Sequence, residues 1–387
     1  MLPAFVNKTL KPLGTISRTT REYSQNSLIK VVNPAAIKPK NSHFIHLTLS
    51  SFKTARVGKN KFWPMSLSIA IGLICLQKRS NNSHTVSKRA EFDMGKMQRM
   101  IQYMSGGKWA EALKVINEMI EENPNIPELY HNKGTALVRM GAKVEALAAF
   151  EKAIELNPNF DKSHTSKGTI LTMLGDYQNA IMSFSKALKL NPNSLEANLN
   201  MGNVLDDVGM KKEAMDYYSR VIHLSPSSSL ASMAYTNKGY ILGETGQEQE
   251  ALKFHDKAIE IDPNNAMAYN NKGYVLMKKE MCSAPELLKY FDKAIELNAS
   301  LSQPYFNKAN CLAFHGLGSV QEIIQNYDKA IQLNPKHTYA YMNKARVLMH
   351  IKSYEEALKC LNKLIEIVPN HAQALSLKES ILKQKAE

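Results

Sequence analysis

Acidic residues are almost absent from the first ninety residues of this 387-residue chain. That region holds fifteen lysines and arginines but a single acid, Glu22, so it carries the whole formal net charge of +14. The remainder contains equal numbers of basic and acidic residues. A folded nucleic-acid-binding domain would cluster lysine and arginine on its own surface. The charge distribution therefore predicts no nucleic-acid partner.

Cysteine is scarce, and motifs for chemistry are missing. The four cysteines form no CxxC pair, and the eleven histidines show no metal-ligand spacing. The sequence also contains no P-loop, no dinucleotide-binding glycine fingerprint and no nucleophile elbow. These absences predict a protein that is not an enzyme and has no catalytic residues, metal, cofactor or small-molecule substrate. Three cysteines are expected to be small core residues, namely Cys282, Cys311 and Cys360.

An apolar run of full membrane-spanning length is also lacking. Residues 62–76, FWPMSLSIAIGLICL, are fifteen uncharged residues, whereas a spanning helix needs about 20. Phe62 and Trp63 could lie at a membrane interface, and the flanking lysines could snorkel. We interpret 62–76 as a short candidate transmembrane helix; a helix packed on the folded domain is the alternative. Residues 77–92 are polar and indicate a linker.

What the N-terminus does contain is basic and rich in Ser and Thr, a composition typical of a mitochondrial transit peptide. No apolar stretch suits a secretory signal. Several apolar residues recur at steps of three and four, as on one helical face, although Pro12 interrupts them. They are Leu2, Phe5, Val6, Leu10, Leu13 and Ile16.

The stretch Arg21-Glu22-Tyr23-Ser24 resembles the common cleavage pattern of the matrix protease. That resemblance implies a first cut after Glu22 and trimming of Tyr23, which leaves Ser24 first. Residues 1–23 are then a presequence and 24–61 a basic, disordered segment. A basic tail without an import role is the alternative.

From residue 93 onward the chain repeats itself. Four segments share a pattern: AFEKAIELNPN (149–159), SFSKALKLNPN (183–193), KFHDKAIEIDPNN (253–265) and NYDKAIQLNP (326–335). Successive prolines are 34 residues apart from Pro124 to Pro226 and again from Pro335 to Pro369. Pro263 comes 37 residues after Pro226, so SPSSSLAS is expected to be a loop with three extra residues, and Ala299 stands where the next proline would fall. The prolines that set this period are Pro124, Pro158, Pro192, Pro226, Pro263, Pro335 and Pro369.

A period of 34 residues with this pattern resembles the tetratricopeptide repeat (TPR). With the proline placed at position 32, position 8 is Gly or Ala in seven repeats, position 20 is mostly Ala, and position 24 is apolar or aromatic except for His255. The resemblance implies an all-α, right-handed superhelical solenoid of about eight helix pairs over 93–371, followed by a capping helix over 372–387. Turn glycines are expected at Gly107, Gly141, Gly175, Gly209, Gly246 and Gly316.

In the resembled family the first helix of each pair, helix A, lines a concave binding groove. This implies a polar and aromatic groove with an acidic middle, able to hold an extended peptide. Asparagines could bind its backbone, and Tyr240, Tyr274 and Phe306 could stack on its side chains. The candidate groove residues are Thr135, Asn203, Asp206, Asp207, Tyr240, Glu244, Asn270, Tyr274, Phe306, Asn310 and Arg346.

Position 6 is asparagine in six repeats, which indicates either a structural ladder or contacts to a peptide backbone. The lysine that usually follows it indicates a solvated stripe or a helix-surface pair. The chaperone-binding pattern of the family is incomplete here, because position 5 is never Lys, and this disfavours a chaperone adaptor. The asparagines are Asn132, Asn200, Asn237, Asn271, Asn307 and Asn343.

These features together predict an imported mitochondrial scaffold, an accessory subunit or assembly factor of an inner-membrane complex. Its TPR domain would face the intermembrane space, and its partner would be an extended peptide or subunits of that complex. An outer-membrane import receptor and a soluble TPR adaptor are the alternatives.

Overall fold

The computed structural model describes residues 93–386, and in this range the chain forms seventeen α-helices and no strand. The presequence, its cleavage residues Arg21, Tyr23 and Ser24, and the segments 24–61, 62–76 and 77–92 lie outside the described residues. No helix among the described residues is long and apolar enough to cross a membrane.

The described residues divide into two compact units at Leu224 and Ser225. The first unit holds four helix pairs, in which each helix packs on the next. Its helices are α1 Met94–Ser105, α2 Trp109–Glu122, α3 Pro127–Arg139, α4 Lys143–Leu156, α5 Asp161–Leu174, α6 Tyr177–Leu190, α7 Leu195–Asp207 and α8 Lys211–Leu224.

The second unit continues the same alternation and ends in an unpaired helix. Its helices are α9 Ser229–Glu244, α10 Glu248–Ile261, α11 Ala266–Lys278, α12 Ala284–Leu297, α13 Ser302–His315, α14 Val320–Leu333, α15 Thr338–His350, α16 Tyr354–Ile367 and α17 Ala372–Ala386. Each unit is thus a stack of helix pairs.

Small residues let the two helices of a pair approach closely, as the 34-residue pattern predicts. A Cβ atom added to Gly134 would lie 2.6 Å from Cε1 of Phe150 on the partner helix. Gly168 has the same relationship with Phe184, and Gly202 with Tyr218. The alanines at position 20 are fully buried where the helices cross, and they are Ala112, Ala146, Ala180, Ala214, Ala251 and Ala357.

The predicted turn glycines are confirmed. Gly141, Gly175 and Gly209 have φ angles of 83°, 84° and 90°, a left-handed conformation that glycine adopts without steric cost. In two repeats of the second unit Glu280 and Lys352 adopt it instead, with φ of 52° and 63°. The turn therefore keeps its backbone shape even where glycine is absent.

The expectation that SPSSSLAS forms a longer loop was wrong. The connection from α8 to α9 is residues 225–228, four residues like the connection from α4 to α5. The three extra residues instead lengthen α9 to 16 residues. Ser228 caps this helix, because its hydroxyl accepts a hydrogen bond from the amide of Ala231 at 3.1 Å.

The lysine stripe forms ion pairs between neighbouring repeats. Lys308 Nζ lies 2.7 Å from Asp292 Oδ1, and Lys167 Nζ lies 2.8 Å from Glu151 Oε1. In each case the acid is on the second helix of the preceding repeat. This confirms the interpretation of the lysines as helix-surface pairs, although such exposed pairs contribute only about 0–1 kcal/mol each.

The last helix packs as a cap on α16. Ala374 and Ile381 are fully buried, as their spacing predicts, and Leu377 is half-buried. Lys385 pairs with Glu355 at 2.6 Å. Helix α17 therefore covers the end of the core of the second unit.

Candidate partner-binding site

In the first unit the predicted groove residues lie on helices α3 and α7, and several are engaged in packing. Asn203 and Asp206 are each only 7 % exposed. Asn203 Oδ1 accepts a hydrogen bond from the hydroxyl of Tyr218 at 2.9 Å. Thr135 donates to the carbonyl of His131 at 3.0 Å, while Asp207 is half-buried. Asn203 therefore links the two helices of its own pair.

A buried histidine lies on the helix-A face of this unit. His131 Nδ1 lies 3.0 Å from Ser163 Oγ, and the ring packs against Phe150 and Phe160 with centroid distances of 5.4 and 5.1 Å. Burial, followed by the nearby charge of Lys162, lowers the pKa of His131 to about 4. The ring is therefore neutral near pH 7 and serves as a packing element.

One carboxyl of the first unit is shifted toward its neutral form by burial. Desolvation raises the pKa of Glu196, at the start of α7, to about 7, and Lys162 opposes this shift.

In the second unit, α9 and α11 present Tyr240, Glu244 and Tyr274. The hydroxyl of Tyr240 donates to Glu244 Oε1 at 2.8 Å. Lys278 donates to the carbonyl of Gly243 at 3.0 Å. Tyr274 is half-buried, and desolvation with the nearby charge of Glu244 raises its pKa to about 12. This region offers a carboxylate flanked by two tyrosines.

Asparagines of neighbouring A helices form a hydrogen-bonded network. Asn307 Nδ2 donates to Asn270 Oδ1 at 2.9 Å, and Asn270 Nδ2 donates to Asn271 Oδ1 at 3.0 Å. Asn310 Oδ1 accepts from Tyr327 Oη at 2.7 Å and from Asn343 Nδ2 at 2.9 Å. These contacts support the structural interpretation of the position-6 asparagines.

Three polar atoms beside this network are buried without a hydrogen-bond partner: Asn307 Oδ1, Asn310 Nδ2 and His337 Nε2. The first is an acceptor and the second a donor, and their residues lie three apart on α13, so they share one face of the helix. A buried polar atom without a partner costs about 1–3 kcal/mol. Because Asn307 and Asn310 are 1 % and 7 % exposed, a ligand could recover that free energy only by displacing the side chains that cover them.

Phe306 does not offer its ring for stacking in this conformation. It is 3 % exposed and packs against Tyr327 and His337, with centroid distances of 6.1 and 4.6 Å. The same face of α13 therefore carries Phe306 in the core, while Asn307 and Asn310 carry the unpaired atoms.

His337 was missing from the sequence-based prediction of the site. Its Nδ1 accepts from the amide of Ala340 at 3.3 Å and caps α15, so the proton of the neutral ring is on Nε2. Burial lowers its pKa to about 4. The position before a helix indicates a cap, but no sequence pattern shows that the other nitrogen is buried.

Arg346 lies at the far end of this network on α15. Its Nη1 is 3.4 Å from Asn343 Oδ1, and its Nη2 is 3.5 Å from Gln373 Oε1. Its guanidinium is half-buried, and desolvation lowers its pKa. These long contacts leave the guanidinium able to pair with an acidic group.

Comparison with family models decides the family. Models described as tetratricopeptide repeat match residues 127–160, 162–194, 195–228, 232–265, 256–281 and 315–381, more than half of the chain. This chain belongs to the tetratricopeptide repeat family. No curated protein matches the sequence.

Solved TPR structures share the fold. A chain of the APC/C hetero-tetramer Cut9–Hcn1 matches with a TM-score of 0.59 and 16% identity, over 74% of this chain and 55% of that one. This TPR chain thus spans about half the length of that relative. A TPR protein from Parabacteroides merdae ATCC 43184 matches with a TM-score of 0.51 and 17% identity, over 66% of this chain and 98% of its own. Identities this low establish the fold alone.

Proposed function

We propose that this TPR protein is a non-enzymatic scaffold that binds an extended peptide segment of a partner protein through the helix-A face of its second unit. The partner is a subunit of a mitochondrial inner-membrane complex, for which the protein acts as accessory subunit or assembly factor. The chain is anchored through residues 62–76, with its TPR domain in the intermembrane space.

The observation that supports peptide binding is the pair of unpaired amide atoms on α13. An extended peptide residue presents one N–H donor and one C=O acceptor, which match Asn307 Oδ1 and Asn310 Nδ2 once the side chains that cover these buried atoms move aside. Both side chains are already held by hydrogen bonds through their other amide atoms. Because they are pre-oriented, little side-chain entropy is lost on binding.

The surrounding side chains indicate what sequence the peptide has. Glu244 with Tyr240 and Tyr274 suits a basic or apolar residue, and Arg346 at the other end suits an acidic one. A peptide with a basic and an acidic residue on either side of its central backbone contact fits this arrangement.

A peptide-display library selected against the full chain tests the binding. Selected peptides should lose roughly five- to 150-fold in affinity with Asn307→Ala plus Asn310→Ala, since two charge-neutral hydrogen bonds are worth about 1–3 kcal/mol together. Asn200→Ala in the first unit is the matched control, because Asn200 also bridges A helices, donating to Thr169 Oγ1 at 3.1 Å. Equal losses in control and double variant would contradict the proposed site.

The anchor and the location are supported by the acid-poor leader, the Arg21-Glu22-Tyr23-Ser24 stretch and the uncharged run at 62–76. N-terminal sequencing and intact mass of the endogenous protein in carbonate-washed mitochondria test them. We expect a start at Ser24 or Tyr23, in the membrane pellet.

A start at Met1 would overturn the cleaved presequence. With pelleting, it would favour an outer-membrane receptor; with release into the wash, it would favour a soluble adaptor. Neither result would change the peptide test, so the two parts of the proposal fail independently.

A further inference from the structure

We propose that the first unit lies against the lipid surface through an edge made by its turns between helix A and helix B. This membrane-docking edge rests on the proposed anchor at 62–76. It consists of six apolar side chains in three successive repeats: Met140, Val144, Leu174, Tyr177, Val208 and Met210.

The six side chains are unusually exposed for their type, with exposed fractions from 37 % for Val208 to 68 % for Val144. Isolated exposed apolar residues are ordinary, but contiguous ones mark interaction surfaces. Met140, Leu174 and Val208 share one repeat position, and Val144, Tyr177 and Met210 follow them by two to four residues, in repeats that pack one on the next in the same order. They therefore follow one edge of the first unit.

Each turn presents its apolar residue in the same way. Met140, Leu174 and Val208 directly precede the glycines with left-handed backbone, and around Gly141 and Gly175 no atom would meet an added Cβ within 4 Å. The turns thus project as tips into open space. Protruding tips suit insertion into a lipid headgroup layer better than enclosure of a peptide.

The second unit lacks this edge. The residues at the same turn position are Thr245, Lys279 and His315, followed by Ile351 in the last repeat. At turns of the second unit Met281 and Ile351 are each 42 % exposed, but the turn at His315 separates them. A run of apolar turns in three successive repeats is therefore found, among the described residues, in the first unit, which follows residues 62–76 after the segment 77–92. The sixteen residues 77–92 can span at most about 55 Å when extended, so an anchored run keeps this unit near the bilayer.

Charges on the edge are balanced. Lys143, Lys211 and Lys212 lie at the starts of the second helices of these three repeats, and Glu145, Asp176 and Glu213 lie beside them. Lysine stems can extend toward the interface. Because the charges offset each other, the contact depends on apolar area, and a zwitterionic lipid is sufficient.

Brominated phosphatidylcholine vesicles test the proposal, because bromine quenches tryptophan only at close range. The chain has two tryptophans, Trp63 in the apolar run and Trp109 in α2. The full chain carrying Trp63→Phe and Trp109→Phe receives one reporter, Leu174→Trp. We expect a roughly twofold loss of its emission, as for an aromatic side chain at the membrane interface.

Thr245→Trp, in the same background, is the matched control at the equivalent turn of the second unit, and it should not be quenched. Quenching of both reporters alike, or of neither, would overturn the docking edge. A third outcome would also overturn the docking edge: the emission of Leu174→Trp is blue-shifted before vesicles are added and is unchanged by bromine. That result would mean that residues 62–76 or another protein covers the edge.

The anchor is tested separately in the same vesicles. Trp109→Phe alone leaves Trp63 as the reporter for residues 62–76, and its quenching shows that the run is inserted. Quenched Trp63 with unquenched Leu174→Trp contradicts the edge alone. Unquenched Trp63 contradicts the anchor on which the edge rests.

Discussion

The imidazole of His255 fills, against Gly239, the place that a phenyl or phenol ring fills in most other repeats. A Cβ added to Gly239 would lie 2.8 Å from Cε1 and 2.9 Å from Nδ1 of His255. Phe291 has the same relationship with Gly273, at 2.9 Å. The position therefore accepts an aromatic ring, but His255 brings two ring nitrogens, both buried without a hydrogen-bond partner.

Replacement of this histidine by phenylalanine should stabilise the protein. His255→Phe removes two unsatisfied polar atoms and keeps a ring that fits the equivalent site, so the free energy of unfolding should rise by about 1–3 kcal/mol. Chemical denaturation followed by circular dichroism measures this. Phe291→His is the converse variant and should lose a similar amount; a destabilised His255→Phe would show that the ring has a hidden role.

Stability should fall as the pH falls from about 6.5 to 4. Burial lowers the pKa of His131, His255 and His337 to about 4, so the unfolded chain takes up protons first, near 6.5. Between these two pH values, each of the three histidines lowers the free energy of unfolding by about 1.4 kcal/mol per pH unit. Glu196, whose pKa is raised to about 7, acts in the opposite direction, since the folded state binds its proton first.

Three histidines outweigh one glutamate, so the free energy of unfolding falls overall as the pH is lowered through this window. Denaturation at several pH values measures this dependence. In His255→Phe, the fall in the free energy of unfolding should be smaller by about 1.4 kcal/mol per pH unit, the contribution of one histidine. A slope that is unchanged in this variant would contradict the assignment of His255 as a buried neutral ring.

Repeat position predicted the backbone better than it predicted exposure. The 34-residue period and the small residues at fixed positions predicted the helix pairs, and the positions of the turn glycines were predicted correctly. By contrast, Asn203, Asp206, Asn270, Asn310 and Phe306 share the groove positions yet are nearly buried. Position in a repeat determines which face a side chain occupies, whereas burial depends on the size of neighbours from the adjacent repeats. The Ser-rich insertion was misassigned for a related reason, since a serine cap can begin a helix earlier.

Close approach of helices α5 and α6 should make Gly168 intolerant of a methyl group. The added Cβ would lie 2.7 to 2.9 Å from three atoms of the fully buried Phe184 ring. Gly168→Ala should therefore cost about 1–3 kcal/mol. In the last repeat the pair is Ala345 with Leu361, both fully buried.

That natural pairing supplies the control. The double variant Gly168→Ala/Phe184→Leu should lose less stability than the sum of the two single losses. The difference, the coupling energy, should be about 0.5–3 kcal/mol. Denaturation of the four proteins in this cycle measures the coupling. Additive losses would show that the ring moves aside without cost.

The hydroxyl of Tyr327 should stabilise the asparagine network of the second unit. It donates to Asn310 Oδ1 at 2.7 Å in a fully buried setting, and burial raises its pKa well above the usual range. Tyr327→Phe should lower the free energy of unfolding by only about 0.5–1.5 kcal/mol, because Asn310 Oδ1 keeps the donor Asn343 Nδ2 at 2.9 Å. Tyr130→Phe, at a half-buried tyrosine on α3, is the control and should change stability by less than about 0.5 kcal/mol.

Peptide affinity separates the two roles of Asn310. If Tyr327 orients the amide of Asn310, Tyr327→Phe weakens binding more than Tyr130→Phe does. Equal affinities would mean that Asn343 alone holds Asn310 in place.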